Sequence, residues 1–176
     1  MFSLPAISTW PALRWPWFLI AAIALVLESI ALYFQYGMGL EPCIMCIYQR
    51  VAVFGIALSA LPALVNPHNL IVRLISISGL LVSCIWGLLI ALEHVAMQNP
   101  DNFMLALSCD IYPNFPEWLQ LHTLIPSLFE ARGTCGDIDW SLFGFSMPQI
   151  MVFIFSCFAV CLTSVLAIRL FNKKTF

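Results

Sequence analysis

The chain has 176 residues, of which 62% are hydrophobic and only 9% are charged, and its formal net charge is −2. Soluble domains carry nearer about 25% charged residues, so this composition excludes an ordinary soluble protein. The small net charge gives no indication of a nucleic-acid partner or of another strongly charged ligand.

Four apolar stretches are each long enough to cross about 30 Å of hydrocarbon as a helix. We therefore predict an all-α integral membrane protein, with a four-helix transmembrane bundle forming a single membrane domain over residues 1–176. The first stretch is too long for a signal peptide and lacks a small-x-small cleavage site, so we expect it to be retained. The predicted helices cover residues 17–36, 44–65, 70–92 and 148–170, and the outer loops cover residues 37–43 and 93–147.

The distribution of Lys and Arg predicts the orientation, because positive charges favour the cytoplasmic ends of helices. The turn at residues 37–42 has no basic residue, and the segment 93–147 has only Arg132 together with seven of the nine acidic residues. We therefore predict that both termini are cytoplasmic and that both outer loops face the outside, which in a bacterium is the periplasm. The basic residues at the predicted cytoplasmic ends are Arg14, Arg73, Arg169, Lys173 and Lys174.

A Cys-x-x-Cys pair, Cys43 and Cys46, stands at the start of the second predicted helix. Thiols at i and i+3 share a helix face, and a helix start favours the thiolate. Facing an oxidising compartment, such a pair indicates redox chemistry; half of a zinc site and coincidence are the alternatives. Zinc requires two more ligands, and Cys109 and Cys135 are too widely spaced to form a second such pair, so we predict no metal site.

Two charged residues, Glu28 and Arg50, lie inside the predicted helices and away from their cytoplasmic ends. Arg50 is seven residues after Cys43 and shares its face, about 9 Å below the helix start. It is either a cation that stabilises a Cys46 thiolate and a reduced electron acceptor, or a snorkelling residue paired with Glu41 or lipid phosphate. Glu28 reaches a similar depth on the antiparallel first helix, so we hypothesise an ion pair between Glu28 and Arg50.

The electron acceptor is predicted from what the sequence lacks. No flavin or nicotinamide fingerprint is present, and no Cys-x-x-Cys-His haem attachment motif occurs. A lipid-soluble quinone reached from the bilayer is the remaining acceptor. His94, at the outer end of the third helix, is either an interfacial anchor or a group that hydrogen-bonds a quinone carbonyl and passes protons.

The second outer loop has 55 residues, too many for a simple connection. Its segments 115–121 and 124–129 are short and amphipathic; they either lie on the outer membrane surface or form a small folded core. Cys109 and Cys135 each have polar neighbours in the sequence. A disulfide between them would close a loop of about 25 residues and stabilise it by about 3–4 kcal/mol. That disulfide is either a permanent staple or one that exchanges with another protein's thiolate.

The three other cysteines, Cys84, Cys157 and Cys161, are predicted to be small buried hydrophobes.

The ordered set of motifs resembles the DsbB family of bacterial inner-membrane proteins. The set comprises Glu41-Pro42-Cys43-Ile44-Met45-Cys46, Tyr48, Arg50, Glu93-His94, Cys109-Asp110, Phe115-Pro116-Glu117-Trp118, Cys135 and Met147-Pro148-Gln149.

The resemblance implies an enzyme, a protein-dithiol:quinone oxidoreductase whose substrate is a DsbA-like thioredoxin-fold dithiol oxidase of the periplasm. The substrate's thiolate would attack a Cys109–Cys135 disulfide, which Cys43–Cys46 would then reoxidise. In the family the second cysteine of the pair contacts the quinone, with the arginine and histidine nearby. Those roles fall on Cys46, Arg50 and His94, and the quinone is ubiquinone or menaquinone.

One residue departs from the family pattern. Glu41 is acidic where basic or neutral residues are familiar, and we expect it to raise the pKa of Cys43. Two other functions remain as alternatives: a membrane conduit that carries thiol reductant outward, and a non-enzymatic membrane protein with a structural disulfide. The choice of quinone, the resting disulfide pattern, partner specificity and oligomeric state do not follow from the sequence.

Overall fold

The computed structural model describes residues 10–102, 104 and 113–171 of the chain. Its four long helices confirm the predicted all-helical membrane architecture, since each is apolar and long enough to cross a bilayer. They are α1 (Arg14–Leu32), α2 (Ile44–Val65), α3 (Leu70–Met97) and α6 (Met147–Phe171). The shorter elements are a 3-10 turn Trp10–Ala12, a π-helical turn Tyr33–Gly37, a 3-10 turn Pro100–Asn102, α4 (Leu121–Leu124), α5 (Pro126–Phe129), β1 (Ser141–Leu142) and β2 (Phe145–Ser146).

Helix α2 lies between α1 and α3, and α3 also packs against α6. Small residues allow the close approach of α2 and α3: a Cβ atom on Gly55 would lie 2.5 Å from Ser83 Oγ, and one on Gly79 would lie 2.5 Å from Ser59 Oγ. Close packing of this kind drives helix association in lipid, where apolar burial alone gives no advantage. The core includes Trp17, Ala24, Ile56, Ala60, Leu80, Cys84 and Phe155.

The connection between α2 and α3 is short because its residues favour the end of one helix and the start of the next. Asn69 caps α3 by accepting hydrogen bonds from the backbone N–H groups of Ile71, at 2.9 Å, and Val72, at 3.4 Å. Pro67 just before it cannot extend α2. The short turn forces α2 and α3 to run antiparallel, so the start of α2 lies beside the end of α3.

The two ends of the bundle therefore differ in chemistry. Arg14 donates to the carbonyl of Val65 at 3.2 Å, at the end of α2, and Arg73 lies in the first turn of α3. Cys43 and His94 lie at the opposite end, at the start of α2 and near the end of α3. Arg14 and Arg73 therefore lie at the end of the bundle opposite the cysteine pair.

Several helix bounds and the burial of two cysteines differ from the sequence predictions; α1, for example, covers Arg14–Leu32 where residues 17–36 were predicted. Helix α3 continues to Met97, five residues past the predicted end, because His94 and Met97 are buried against the segment that carries Cys43. Cys84 is buried as predicted. The predicted burial of Cys157 and Cys161 is wrong, because both side chains lie on the outer surface of α6 and are exposed. An outward position on a membrane helix faces lipid, so an apolar sequence does not distinguish it from a core position.

The long outer loop has a small core of its own. The Phe115 ring lies 5.9 Å from the Tyr48 ring, 5.9 Å from that of His122 and 6.4 Å from that of Phe129. Residues 116–119 form a turn rather than a helix, with the N–H of Leu119 donating to the carbonyl of Pro116 at 2.8 Å. The helices α4 and α5 follow it. Large apolar side chains such as Trp118, 81% exposed, remain on the loop surface.

Candidate redox site

Cys43 and Cys46 are free thiols whose Sγ atoms lie 3.2 Å apart. Cys43 is the N-cap of α2, and its sulfur accepts a hydrogen bond from the backbone N–H of Cys46 at 3.4 Å. The Cys43 thiol donates to Cys46 Sγ, and this hydrogen bond together with burial raises the pKa of Cys43. The pair is therefore a dithiol in which Cys46 is the better placed to hold the negative charge.

The predicted effect of Glu41 on that pKa has a different physical origin in the structure. The causes that raise the pKa of Cys43 are the Cys46 hydrogen bond, burial and the Cys46 charge, and Glu41 is not among them. The backbone carbonyl of Glu41 instead forms the surface against which Gly133 packs. The direction that we expected is found, and its predicted cause is wrong.

His94 of α3 lies between the cysteine pair, Gln49 of α2 and the outer loop. Its Nε2 atom lies 3.5 Å from Cys43 Sγ, and its Nδ1 atom lies 3.1 Å from Gln49 Nε2. The ring also hydrogen-bonds the backbone of Cys135, and the side chain is 3% exposed. Gln49 was missed by the sequence reasoning, although a buried amide three residues after Cys46 on the same helix was a usable signal.

The hypothesised ion pair between Glu28 and Arg50 is confirmed. Arg50 Nε lies 3.5 Å from Glu28 Oε2, and both side chains are almost fully buried. Arg50 Nη1 also donates to Gln35 Oε1 at 3.0 Å and to the backbone carbonyl of Leu128. The guanidinium thus joins α1, α2 and the outer loop, and neither Gln35 nor the Leu128 carbonyl was anticipated from the sequence.

The outer loop is fastened directly over the cysteine pair. The carbonyl of Pro42 accepts hydrogen bonds from the N–H groups of Arg132, at 2.9 Å, and Gly133, at 3.1 Å. Cys135 is 3% exposed and shares an apolar cluster with Cys43 and Met97. Cys135 is disulfide-bonded. The predicted site residue Cys109 lies outside the described residues.

A cavity of about 440 Å³ opens beside the pair, between α1, α2, α6 and the loop. Its size and its mostly apolar wall are typical of a small-molecule site. Cys43 and Cys46 both line the cavity. The polar side chains that line it include those of Glu28, Gln35, Gln49, Arg50 and His94. Glu28 Oε2 is buried without a hydrogen-bond partner, beside the Arg50 cation. Cationic and amide donors within an apolar wall fit a planar apolar ring that carries carbonyl acceptors.

Gly133→Ala is expected to slow exchange between the loop and the cysteine pair. A Cβ atom at Gly133 would overlap the backbone carbonyl of Glu41, and backbone cannot move aside as a flexible side chain does. We expect about a tenfold lower turnover with a protein dithiol, corresponding to the roughly 1.4 kcal/mol lost with one hydrogen bond to Pro42, and no change with a small dithiol. Steady-state rates with the two donors measure this.

Gly144→Ala is the control for general damage to the outer side. Gly144 has φ +84°, so alanine is strained there, but no atom lies within 4 Å of its Cβ position. Equal losses in the two variants, or a loss with both donors in Gly133→Ala, would contradict a specific role for the loop contact.

Glu28→Gln and Arg50→Met are expected to be non-additive. Removing one partner of a buried pair leaves the other charge uncompensated, which costs about 3–5 kcal/mol of stability. We expect a coupling energy of about 0.5–3 kcal/mol from the double variant, measured by unfolding in detergent. The exposed pair Glu130 and Arg132, with nitrogen and oxygen 2.9 Å apart, is the control and should show no resolvable coupling, because solvent screens it. Purely additive effects for Glu28 and Arg50 would mean that their contact carries no energy.

Comparison with known proteins gives a consistent family. The family model for "Disulfide bond formation protein DsbB" matches residues 13–165. A Disulfide bond formation protein B of Pseudoalteromonas translucida is 48% identical over 166 residues, covering 94% of this chain and 95% of the relative. The corresponding proteins of Haemophilus influenzae and Aliivibrio fischeri are 44% and 40% identical, with 92% and 97% of this chain and 90% and 100% of the relatives covered.

Proposed function

The chain belongs to the DsbB family of disulfide bond formation proteins, and on this premise we propose that it is a protein-dithiol:quinone oxidoreductase. Its proposed substrate is a DsbA-like thioredoxin-fold dithiol, and its proposed acceptor is a membrane quinone, ubiquinone or menaquinone. One observation carries the proposal: a dithiol, a buried cation and a histidine line one cavity between apolar helices, directly below a disulfide-bonded loop cysteine.

The first half of the reaction is thiol–disulfide exchange at the loop. A donor thiolate attacks the proposed Cys109–Cys135 disulfide, and the second donor thiol resolves the mixed disulfide, so the donor is oxidised and the loop receives two electrons and two protons. The five cysteines other than Cys135 that the structure describes are free, which supports Cys109 as its partner.

The second half moves these electrons inward. A loop thiolate attacks Cys43 in a Cys43–Cys46 disulfide, which forms a mixed disulfide and releases Cys46 as a thiolate. The second loop thiol then attacks the loop sulfur of that mixed disulfide, so the loop disulfide re-forms and Cys43 is released. The packing of Cys43 and Cys135 in one apolar cluster supports direct exchange between them. The combination of a disulfide-bonded Cys135 with free Cys43 and Cys46 matches the stage after this transfer.

The residues proposed to hold the acceptor are Cys46, Arg50 and His94. A bound quinone would take up two electrons and two protons as the Cys43–Cys46 disulfide re-forms. Arg50 stabilises negative charge at this depth, because its guanidinium is held by Glu28 and Gln35 and cannot turn away. His94 lies 3.5 Å from Cys43 Sγ, within reach of the proton that the thiol must lose.

We further propose that the cysteine end of the bundle faces the periplasm, in the bacterial inner membrane, with both termini in the cytoplasm. The basic residues Arg14 and Arg73 lie at the opposite end of the bundle, as the positive-inside rule requires. The alternative function, a conduit that carries reductant outward, needs further redox cysteines between the Cys43–Cys46 pair and the cytoplasmic end of the bundle. Cys84 is buried in the core, and Cys157 and Cys161 face outward on α6, so no described pair continues the path.

The decisive experiment mixes the purified protein with a reduced periplasmic dithiol oxidase and a quinone, and follows the quinone absorbance. We expect quinone loss that depends on both the donor thiols and the protein, with one donor disulfide formed per quinone. Absence of thiol-dependent quinone reduction by a folded sample would overturn the proposed function.

A further inference from the structure

The cysteine pair and His94 together form a set of three metal-ligating atoms. The two sulfurs and a ring nitrogen of His94 all lie within 4.8 Å of one another, and Cys43 and His94 are buried. The three residues come from the N-cap and first turn of α2 and from the last turns of α3. The prediction of no metal site considered only the cysteines and did not include the histidine from α3.

The spacing of these atoms suits a tetrahedral cation. Zinc bonds of about 2.3 Å to sulfur and 2.0–2.1 Å to nitrogen place a sulfur and a nitrogen ligand roughly 3.5 Å apart and two sulfurs roughly 3.8 Å apart. Cys43 Sγ and His94 Nε2 lie 3.5 Å apart, and the two sulfurs lie 3.2 Å apart. A small rotation of one thiol therefore completes the geometry.

The surroundings of His94 favour ligation through Nε2. The Nδ1 atom faces the Gln49 side-chain amide at 3.1 Å, and the Nε2 atom faces Cys43 Sγ at 3.5 Å. When the amide presents its oxygen, it accepts the Nδ1 proton, leaving the Nε2 lone pair directed at the cysteines. Partners of this kind orient metal-bound histidines in general.

Two thiolates and an imidazole form a soft donor set, which selects Zn²⁺ and the related Cd²⁺ over hard cations. The fourth position would open toward the cavity, which both cysteines and His94 line, so water or chloride can complete the coordination. Three protein ligands with one open position are common in zinc enzymes. Binding releases the two thiol protons and transfers no electrons.

We propose that the dithiol form of this protein binds a thiophilic divalent cation through Cys43, Cys46 and His94, and that the bound cation blocks turnover. The disulfide form has no thiolates to offer and does not bind. The cation occupies both sulfurs needed to re-form the Cys43–Cys46 disulfide, so it holds the protein in its reduced state. Only this inhibitory part rests on the proposed function; the binding does not.

The binding test uses Cd²⁺ and the full-length protein in detergent. Protein reduced with a phosphine, which is then removed, is titrated with Cd²⁺ while the cadmium–thiolate ultraviolet absorption is followed. We expect one tight site in the reduced protein and none in the oxidised protein. His94→Gln should weaken the site by more than about 100-fold, since losing a direct ligand exceeds the 10–100-fold cost of losing an outer partner.

Two controls separate this site from other thiols. Cys135→Ser and the double variant Cys157→Ser/Cys161→Ser should retain the tight site, because their sulfurs lie outside the cluster. Unchanged Cd²⁺ affinity in His94→Gln, or equal binding by oxidised protein, would overturn the proposed site while leaving the proposed function untouched.

The inhibition test loads the reduced protein with Zn²⁺, removes unbound metal and then adds donor and quinone. We expect loss of quinone reduction that a chelator restores, and no loss when the oxidised protein receives the same treatment. Full activity of the loaded protein would overturn the inhibition. If no sample reduces quinone, the proposed function fails, and the Cd²⁺ titration still decides whether the site exists.

Discussion

Cys46→Ser is expected to abolish electron transfer to quinone from every thiol donor, by at least about 10³-fold, as for other residues whose own atom forms the covalent bond in the reaction. The Sγ atoms of Cys43 and Cys46 lie 3.2 Å apart. Among the described free thiols, each is the only one close enough to form a disulfide with the other. Without the second sulfur the disulfide cannot re-form, so no pair of electrons can leave. Cys43→Ser should show the same loss.

The measurement compares a small dithiol and a protein dithiol as donors, with quinone absorbance as the readout. Cys157→Ser is the matched control, because this thiol is exposed on α6 and belongs to the helix farthest from the pair in the chain. It should retain full activity. Serine is nearly isosteric with cysteine, so unfolding in detergent should change little in any of the three variants. Residual turnover of Cys46→Ser near the wild-type rate would contradict a role for the pair.

The helices and the cysteine–arginine face were predictable because they depend on local pattern. A run of about 20 apolar residues must span the bilayer, and the spacing of Cys43, Cys46 and Arg50 places them on one face whatever surrounds them. The depth of Glu28 relative to Arg50 also follows, since a short turn forces α1 and α2 to run antiparallel. Rise per residue gives their similar depth, and the 3.5 Å contact also requires that both side chains lie between the two helices.

The remaining contacts at the site depend on how the outer loop folds back over the helices. The Leu128 carbonyl reaches Arg50, and the Tyr36 hydroxyl donates to the carbonyl of Ser127 at 2.5 Å. A backbone carbonyl carries no sequence signature, so such partners cannot be read from residue types. The contact of Gln49 with His94 likewise depends on the packing of α2 against α3. It requires the extension of α3 beyond the predicted end at residue 92.

These loop contacts explain how a cation is tolerated at this depth. A buried guanidinium is stabilised only when its donors are satisfied and a counter-charge is close. Arg50 contacts Glu28 of α1, Gln35 of the π-helical turn after it, and the Leu128 carbonyl of the loop. The contact with the Leu128 carbonyl also holds the loop against the bundle. The group proposed to stabilise the reduced acceptor is therefore also a structural link to the segment that receives electrons.

Cys135→Ser is expected to separate the two halves of the proposed relay. A protein dithiol must enter through the loop disulfide, so its rate of quinone reduction should fall to the uncatalysed background, by at least about 10³-fold. A small dithiol can reach the partly exposed Cys46 beside the cavity and reduce the inner pair directly, so its rate should persist. Loss with both donors would instead assign the Cys135 disulfide a structural role, and retention with both would remove it from the electron path. The Gly133→Ala variant keeps both cysteines of the proposed loop disulfide and displaces only the loop backbone. With the protein dithiol as donor, its rate should therefore lie between those of wild type and Cys135→Ser; with the small dithiol it should equal that of wild type. That order of rates is expected only if electrons pass from the loop to Cys43 by thiol–disulfide exchange, and if the backbone contact at Pro42 positions the loop for it.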